Sequence, residues 1–207
     1  MSKFNNISGI ADDTKPNAGR IYDYFLGGNH NFEIDREVAQ KILALSPALP
    51  KFAKMLRWFL GETIHRMIDE GFGQFIDFAS GLPVQDHIHQ IAPAGTKVIY
   101  SDKDPVTVTY AQKIIGDNPN VRYLRCEAEH PETILNSGVI EEIFDPSKKV
   151  AIGMSGIIPF LSDEDMVHAL ETLYDWAKEG DRLFVSGHDV TATENDERFK
   201  AGSDMYT

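Results

Sequence analysis

The chain has 207 residues, 42% of them hydrophobic and 25% charged, which is the composition of an ordinary globular protein. A net charge of −12 disfavours nucleic acid as a partner, because an acidic surface repels phosphate groups. The single cysteine, Cys126, excludes a disulfide framework and a cysteine-based zinc site, and we expect no metal. Neither a signal-peptide pattern nor an apolar run of membrane-spanning length occurs, so a cytoplasmic protein that binds no membrane is expected.

Three helices are predicted before residue 74. Apolar residues recur at helical spacing over three segments, Asn17–Leu26, Phe32–Leu45 and roughly Leu49–Glu70. Gly27 and Gly28 follow the first helix, where a residue with positive φ commonly ends the helical hydrogen bonds. We therefore predict that residues 1–73 form a helical extension in front of a sheet domain.

From residue 74 the pattern changes to short apolar runs that alternate with helical segments. Five strands are predicted, at Phe75–Phe78, Lys97–Ser101, Val121–Cys126, Val150–Met154 and Arg182–Ser186. The helices between them are predicted at Val84–Ile91, Pro105–Ile115, Pro131–Leu135 and Ser162–Trp176. This alternation predicts an α/β fold over residues 74–207, with a Rossmann-like, doubly wound, mostly parallel sheet that helices cover on both faces.

In open parallel sheets, ligands bind beyond the carboxyl ends of the strands, so the residues that follow each strand are candidates. The first strand carries Asp77 and leads into Ala79, Ser80 and Gly81, whose small side chains would let a ligand approach the backbone. A tight structural turn is an equally good explanation of these residues. The glycine-rich dinucleotide fingerprint is absent, which disfavours a pyrophosphate ligand.

Acidic residues follow the second and third strands. Asp102 occupies the position at which a carboxylate commonly accepts hydrogen bonds from two ribose hydroxyls, and its neighbour Lys103 is a further candidate contact. Asp104 is predicted to cap the next helix instead. Glu127 could accept a hydrogen bond from an adenine amino group, with a solvated turn as the alternative.

Small or polar residues also follow the last two strands, namely Ser155 and His188. The ends of the first three strands would thus provide a turn that a ligand can approach closely, an acceptor for ribose hydroxyls in Asp102 and an acceptor for an amino group in Glu127. This combination fits adenosine without a pyrophosphate, and the cofactor that it indicates is S-adenosylmethionine.

Residues 16–36 carry a more specific signal. The run PNAGRIYDYFLGGNHNF, followed by DR, resembles the signature PNxARxYDYxLGGKDNF, followed by DR, of the S-adenosyl methyltransferase family that was formerly classed as a domain of unknown function. Later blocks match the same family, at Phe75–Asp77, Ser80–Pro83, Asp102, Asp104-Pro105 and the Phe160-Leu161 pair. The resemblance extends over nearly the whole chain.

The resemblance implies a Rossmann-like, class I methyltransferase that uses S-adenosylmethionine and releases S-adenosylhomocysteine. By motif position it places Asp77, Ala79 and Gly81 on the methionine side, Asp102 at the ribose and Glu127 at the adenine. It also implies that the Tyr22–Asn31 block folds over cofactor and substrate. The candidate cofactor contacts in and beside this block are Arg20, Tyr22, Gly27 and Gly28.

The sequence departs from the family pattern at residues 28–30, where Gly-Asn-His replaces Gly-Lys-Asp, at residues 127–131, where Glu127 replaces the usual Asp, and in two further features. Ala79 stands where the usual Asp-x-Gly-x-Gly turn has glycine, and its methyl group is expected to narrow the approach to the cofactor. Methyltransferases of this fold continue after the fifth strand into an antiparallel hairpin, whereas residues 190–207 carry no strand pattern. We therefore expect either a truncated chain or a bare sheet edge, and a bare edge favours a homodimer.

Methyl transfer needs alignment and desolvation more than a protein nucleophile. If the acceptor must lose a proton, the candidate bases are His188 and His30, followed by Tyr24 and Tyr22, each with a structural role as the alternative. The acceptor is expected to be a small molecule. Two alternatives stay open: a protein or degraded relic that binds the cofactor without catalysis, and a nicotinamide-dependent oxidoreductase, against which the missing glycine fingerprint argues.

Overall fold

The structure of the protein is a computed structural model that describes residues 14–187. Internal contacts divide the chain into two compact units, and within the described residues the first ends at Arg57 and the second begins at Trp58. The boundary falls inside the long helix α3, Leu49–Asp69. None of the helices among residues 14–187 combines the length and the apolar character that crossing a membrane requires.

The first unit contains α1 (Ala18–Leu26), α2 (Glu33–Leu45) and the beginning of α3. Asn17 begins α1, because its side-chain oxygen accepts a hydrogen bond from the Arg20 amide at 3.1 Å. Gly27 ends α1 with φ +86°, a left-handed conformation that glycine adopts without a steric penalty, so the predicted helix end is confirmed. The apolar faces of these helices form one core, made of Ile21, Phe25, Leu26, Ala39, Ile42 and Ala53.

The second unit is built on a five-stranded, all-parallel sheet in the order β3-β2-β1-β4-β5. The strands are β1 (Gln74–Asp77), β2 (Lys97–Asp102), β3 (Val121–Arg125), β4 (Ala151–Ser155) and β5 (Arg182–Ser186). Each differs from its predicted bounds by no more than one residue at either end. The order reverses between β1 and β4, so the ligand edge of the sheet is expected where these two strands end.

Between residues 74 and 187, five α-helices accompany the sheet in addition to the carboxyl half of α3: α4 (Ile88–Ile91), α5 (Pro105–Ile115), α6 (Glu132–Leu135), α7 (Val139–Ile143) and α8 (Asp163–Trp176). The predicted helix at Val84–Ile91 is wrong in its first half, where Asp86 takes a φ of +52° that an α-helix cannot contain. The short helix α7 was not predicted, although its buried positions Val139, Ile140 and Ile143 follow helical spacing.

Apolar residues fill both faces of the sheet, as the predicted fold class requires. On one face, residues such as Ile76, Ile152 and Met154 pack with α6, α7 and α8 through side chains including Ile134, Ile140 and Leu173. On the other, Phe75, Val98 and Tyr100 pack with side chains of the carboxyl half of α3, of α4 and of α5, including Ile64, Ile88 and Val108. The α/β, doubly wound prediction is therefore confirmed. The predicted absence of a carboxyl-terminal hairpin concerns residues outside the described part of the chain.

Candidate functional site

The turn that follows β1 has an unusual backbone. Ala79 has φ +53° and Gly81 has φ +65°, both in the left-handed region. Ser80 lies between them, and its amide donates to the Ser101 carbonyl at 2.7 Å while its hydroxyl donates to the Asp77 carbonyl at 2.6 Å. The turn is thus tied both to the strand that it leaves and to β2. Because its three residues have small side chains, the backbone of the turn is accessible to a ligand at the carboxyl edge of the sheet.

Hydrogen bonds hold both the amide and the carbonyl of Gly81. Its amide donates to Asp102 Oδ2 at 3.2 Å, and its carbonyl accepts a hydrogen bond from the Tyr123 hydroxyl at 2.6 Å. Tyr123 lies on β3, so its side chain reaches the turn after β1 from two strands away. The sequence reasoning missed Tyr123. The only signal for it was a tyrosine at a buried position of a predicted strand.

Asp102 is half-buried at the end of β2. Burial raises the pKa of its carboxyl group, although the amides of Asp104 and Gly81 donate to it and counteract part of the effect. Its two oxygens have about four acceptor positions, and these two amides occupy two of them, so it can still accept hydrogen bonds from a ligand. Asp104 accepts the amide hydrogens of Val106 and Thr107, which confirms that it caps α5.

Asp77 ends β1 with a side chain that is 3% exposed. Its register partner on β4 is Gly153, and a Cβ atom there would lie 2.7 Å from Asp77 Oδ1 and 2.5 Å from the ring of Phe184. Glycine at 153 is therefore what allows the carboxylate to sit over β4. Burial raises the pKa of the nearby Tyr123 hydroxyl well above its ordinary value, and the charges of Asp102 and Asp77 add to this. Tyr123 consequently keeps its proton and acts as a donor.

Three further predicted residues of this unit, Ser155, Glu127 and Lys103, lie at the same edge of the sheet. The Ser155 hydroxyl oxygen, at the end of β4, is shielded from solvent and has no hydrogen-bond partner among residues 14–187. Glu127 and Lys103 are exposed, beyond β3 and β2 respectively, and no described contact fixes their side chains. His188 lies outside the described residues. The structure thus brings together the β1 turn, Asp102 and Tyr123, and leaves Glu127 and Lys103 at the rim.

In the first unit, Arg20 has a structural environment. Its Nε lies 2.6 Å from Asp35 Oδ2, and the two side chains are 2% and 0% exposed. The guanidinium also donates to the Lys15 carbonyl at 2.6 Å and stacks 4.8 Å from the centroid of the Phe32 ring. A buried cation with these partners has almost no surface left for a ligand, and Arg20 is not part of the cofactor site that we propose below.

Asp23, which was not singled out from the sequence, organises the loop after α1. Its Oδ2 accepts hydrogen bonds from the His30 amide and from Asn31 Nδ2, both at 2.8 Å. A Cβ atom at Gly28 would lie only 2.0 Å from Asp23 Oδ1. The glycine at 28 is therefore explained by the close approach of this carboxylate, and the glycine at 27 by its positive φ. A cofactor contact of either glycine stays a prediction.

The three candidate bases of the first unit have different environments. Burial lowers the pKa of His30, although the charge of Asp23 opposes this, so the imidazole is neutral at pH 7 and able to accept a proton. Burial raises the pKa of Tyr22 despite the charge of Arg57, and the Tyr22 hydroxyl donates to the Ala53 carbonyl at 3.3 Å. The hydroxyl of Tyr24 accepts a hydrogen bond from Gln40. His30 is thus the better placed of the three for general-base catalysis.

A sequence profile of the family described as S-adenosyl methyltransferase matches residues 6–207. The chain belongs to this family. The match includes both the amino-terminal block and the five strands. It confirms the resemblance noted from the sequence, and it identifies the protein as a methyltransferase whose cofactor is S-adenosylmethionine.

Two solved structures are similar to this chain. One is a candidate methyltransferase from Thermobifida fusca YX, with 27% sequence identity and a TM-score of 0.84, and the match covers 99% of this chain and 76% of that one. The other is a DUF574 family protein from Streptomyces avermitilis MA-4680, with 27% identity and a TM-score of 0.80, covering 94% of this chain and 76% of the other. A search of curated proteins finds no match to this chain.

The residues at the carboxyl edge of the sheet fit the cofactor of the family. The turn at 79–81 has only small side chains, and Asp102 retains acceptor capacity for hydroxyl groups. Ser155 offers a shielded oxygen that has no partner within the described part of the chain. These are the properties that an adenosine ligand without a pyrophosphate requires at such an edge.

Proposed function

We propose that this methyltransferase binds S-adenosylmethionine at the carboxyl ends of β1–β4 and transfers its methyl group to a small-molecule acceptor. The observation that supports the binding site best is the Gly81 turn, which Asp102 and Tyr123 hold from two different strands. A turn fixed in this way presents its backbone to a ligand without needing to reorganise when the ligand binds.

Each part of the proposed site has a separate task. Asp77 and the Ala79–Gly81 turn line the methionine side, Asp102 accepts the ribose hydroxyls, and Glu127 accepts the adenine amino group. Lys103 and Ser155 are secondary contacts, and Ser155 is supported by its shielded hydroxyl oxygen. The bound cofactor would supply an electrophilic methyl group on a sulfonium ion. The protein's contribution is to align the acceptor with this group and to exclude water.

The net charge of the chain supports a small-molecule acceptor rather than a nucleic acid. With a net charge of −12, the protein repels the phosphate backbone of nucleic acids. Where the acceptor must lose a proton, His30 and His188 are the candidate bases. The lowered pKa of His30 favours a neutral imidazole at pH 7, which a base requires.

Calorimetric titration of the protein with S-adenosylhomocysteine tests the site, and incubation with radiolabelled S-adenosylmethionine and a panel of small acceptors tests the activity. We expect binding of one equivalent, weakened in Asp102→Asn, together with label transfer to at least one class of acceptor. Absence of binding to both cofactor forms would refute the proposed site. Binding without transfer to any acceptor would favour the non-catalytic alternative, and enhanced NADH fluorescence on mixing would favour the oxidoreductase.

Self-association through the sheet edge is a further part of this proposal. Among the described residues β5 is an edge strand, and its side chains Leu183 and Val185 are 42% and 41% exposed. An exposed edge with apolar residues favours pairing with a second chain. Light scattering at micromolar concentration should give the mass of a dimer, and a monomeric mass would refute the idea.

A further inference from the structure

Three metal-ligating side chains from two separate parts of the second unit meet at its surface. His130 precedes α6, Glu132 is the first residue of α6, and His168 lies on α8. One potential ligand atom from each residue lies within 4.8 Å of the other two. Although the sequence led us to expect no metal, from this geometry we infer a site for a divalent transition-metal ion such as Zn²⁺, with His130, Glu132 and His168 as its protein ligands. The inference does not depend on the proposed function.

The carboxylate already stands between the two imidazoles. Glu132 Oε1 lies 3.1 Å from His130 Nδ1, and Glu132 Oε2 lies 3.5 Å from His168 Nε2. Ligand atoms bound to one tetrahedral zinc ion at about 2.0–2.2 Å are separated by about 3.3–3.6 Å. Each of the two distances is near this value, and each involves a different oxygen of Glu132. The three ligand atoms lie within 4.8 Å of one another, so rotations of the side chains are needed to bring all three onto one ion.

The side chains are free enough to make that adjustment. His130 and His168 are 54% and 51% exposed, and Glu132 is 40% exposed. The two imidazole rings lie with centroids 5.7 Å apart and planes inclined at 64°, so they do not stack face to face. Exposure also gives an ion direct access from solvent, and leaves room for water as the remaining ligand.

The second carboxylate oxygen of Glu132, Oε2, has an unusual environment for an atom of a surface residue. Glu132 Oε2 is shielded from solvent, and His168 Nε2 lies 3.5 Å from it, which is long for a hydrogen bond. This oxygen has no hydrogen-bond partner among residues 14–187, so it keeps acceptor capacity for a cation.

The donor set determines which metals fit. Two imidazole nitrogens and one carboxylate oxygen suit Zn²⁺, Co²⁺ and Ni²⁺, whereas Mg²⁺ and Ca²⁺ prefer sites made of oxygen ligands. Cys126 does not extend the set, because its buried thiol donates to the His130 carbonyl at 3.4 Å. Three protein ligands with an open position are therefore expected.

The site would connect two elements that follow different strands. His130 and Glu132 come after β3, and His168 comes in the helix after β4. The His130 amide donates to the Glu127 carbonyl at 3.0 Å, so an ion at this position would also restrain the segment that leads from β3 to α6. A metal that bridges α6 and α8, and that binds only the folded state, would stabilise the second unit against unfolding.

The test uses tag-free, chelator-treated full-length protein, titrated with ZnCl₂ in a calorimeter and with CoCl₂ while the visible absorption of bound cobalt is recorded. We expect one equivalent of metal to bind, with an unfolding temperature that rises with zinc concentration. A large excess of MgCl₂ should not displace the cobalt. Absence of one-to-one binding, or displacement of cobalt by magnesium, would overturn the inference.

Substitutions distinguish a specific three-ligand site from nonspecific metal binding by surface histidines. His130→Ala, His168→Ala and Glu132→Gln should each weaken zinc binding by about tenfold or more. His65, an exposed histidine of α3, provides the matched control, and His65→Ala should leave the affinity unchanged. Circular dichroism checks that each variant is folded. Equal weakening in the His65 variant, or unchanged affinity in the Glu132 and His168 variants, would show that no such site exists.

Discussion

The hydroxyl of Tyr123 donates a 2.6 Å hydrogen bond to the carbonyl of Gly81, a residue 42 positions earlier in the chain. This bond links β3 to the turn after β1. Tyr123 thus fixes the carbonyl of Gly81, while Asp102 accepts a hydrogen bond from the Gly81 amide. Because Tyr123 keeps its proton, the bond persists over the whole physiological pH range. The cofactor turn is therefore positioned by the sheet and not by its own sequence alone.

Replacing Tyr123 by phenylalanine tests this relationship. The variant leaves the carbonyl of Gly81, a half-buried residue, without its donor, so the free energy of unfolding should fall by about 0.5–1.5 kcal/mol and S-adenosylhomocysteine should bind more weakly. Denaturant unfolding and calorimetry measure the two effects. Tyr174→Phe is the control, since Tyr174 is 82% exposed and its substitution should change neither quantity. If Tyr123→Phe retained both stability and affinity, the hydrogen bond would have no positioning role.

Ala79 is expected to be a strained residue. Its φ of +53° costs an L-residue roughly 1–2 kcal/mol relative to glycine, and the greater freedom of glycine in the unfolded chain offsets part of this. Ala79→Gly should therefore raise the free energy of unfolding by up to about 1 kcal/mol. Thermal and denaturant unfolding provide the measurement.

The matched control for this change is Ala111→Gly, at a buried position inside α5, where glycine should lower stability by about 1 kcal/mol. A similar loss in both variants would contradict the assigned strain. Affinity for S-adenosylhomocysteine should be unchanged in Ala79→Gly, because the backbone conformation explains why the family has glycine there. A clear gain in affinity would show instead that the methyl group of Ala79 restricts the cofactor.

Cofactor binding should depend on the ionisation of Asp102. Burial raises the pKa of this carboxyl group, so protonation begins at a higher pH than for an ordinary aspartate. The protonated form loses acceptor capacity for the ribose hydroxyls, and affinity should fall as the pH decreases towards this raised pKa. Calorimetric titrations with S-adenosylhomocysteine between neutral and mildly acidic pH measure the effect.

The variant Asp102→Asn should bind the cofactor weakly at every pH and lose this dependence, because an amide does not titrate. Asp117, an exposed residue beyond α5, supplies the control, and Asp117→Asn should behave as the wild type. A wild-type affinity that stayed constant while the pH was lowered would remove Asp102 from the ribose site.

The ion pair between Arg20 and Asp35 should dominate the stability of the first unit. Arg20→Met leaves a fully buried carboxylate without its cation, and such losses cost about 3–5 kcal/mol. The exposed pair of Arg66 and Glu70 gives a comparison, and Arg66→Met should cost less than about 1 kcal/mol. Equal effects of the two substitutions on denaturant unfolding would contradict the structural role of Arg20.

Local patterns were sufficient to predict most of the secondary structure. The strand β5 and the helix α5 have the predicted bounds, because apolar runs, a capping aspartate and Pro105 mark them within a few residues. The pattern failed at Val84–Ile91, where the conformation of Asp86 rather than hydrophobic spacing sets the start of α4. Apolar periodicity does not contain that information.

The sequence by itself determined the α/β fold, the alternation of strands and helices, and the motif block that resembles the methyltransferase family, since each depends on residues close together in the chain. Only the tertiary structure decided that Tyr123 holds Gly81, that Asp77 requires glycine at 153, and that His168 meets Glu132. These partners lie on different strands and helices. Their contacts follow from strand order and helix packing, which bring together residues whose separation in sequence carries no periodic signal.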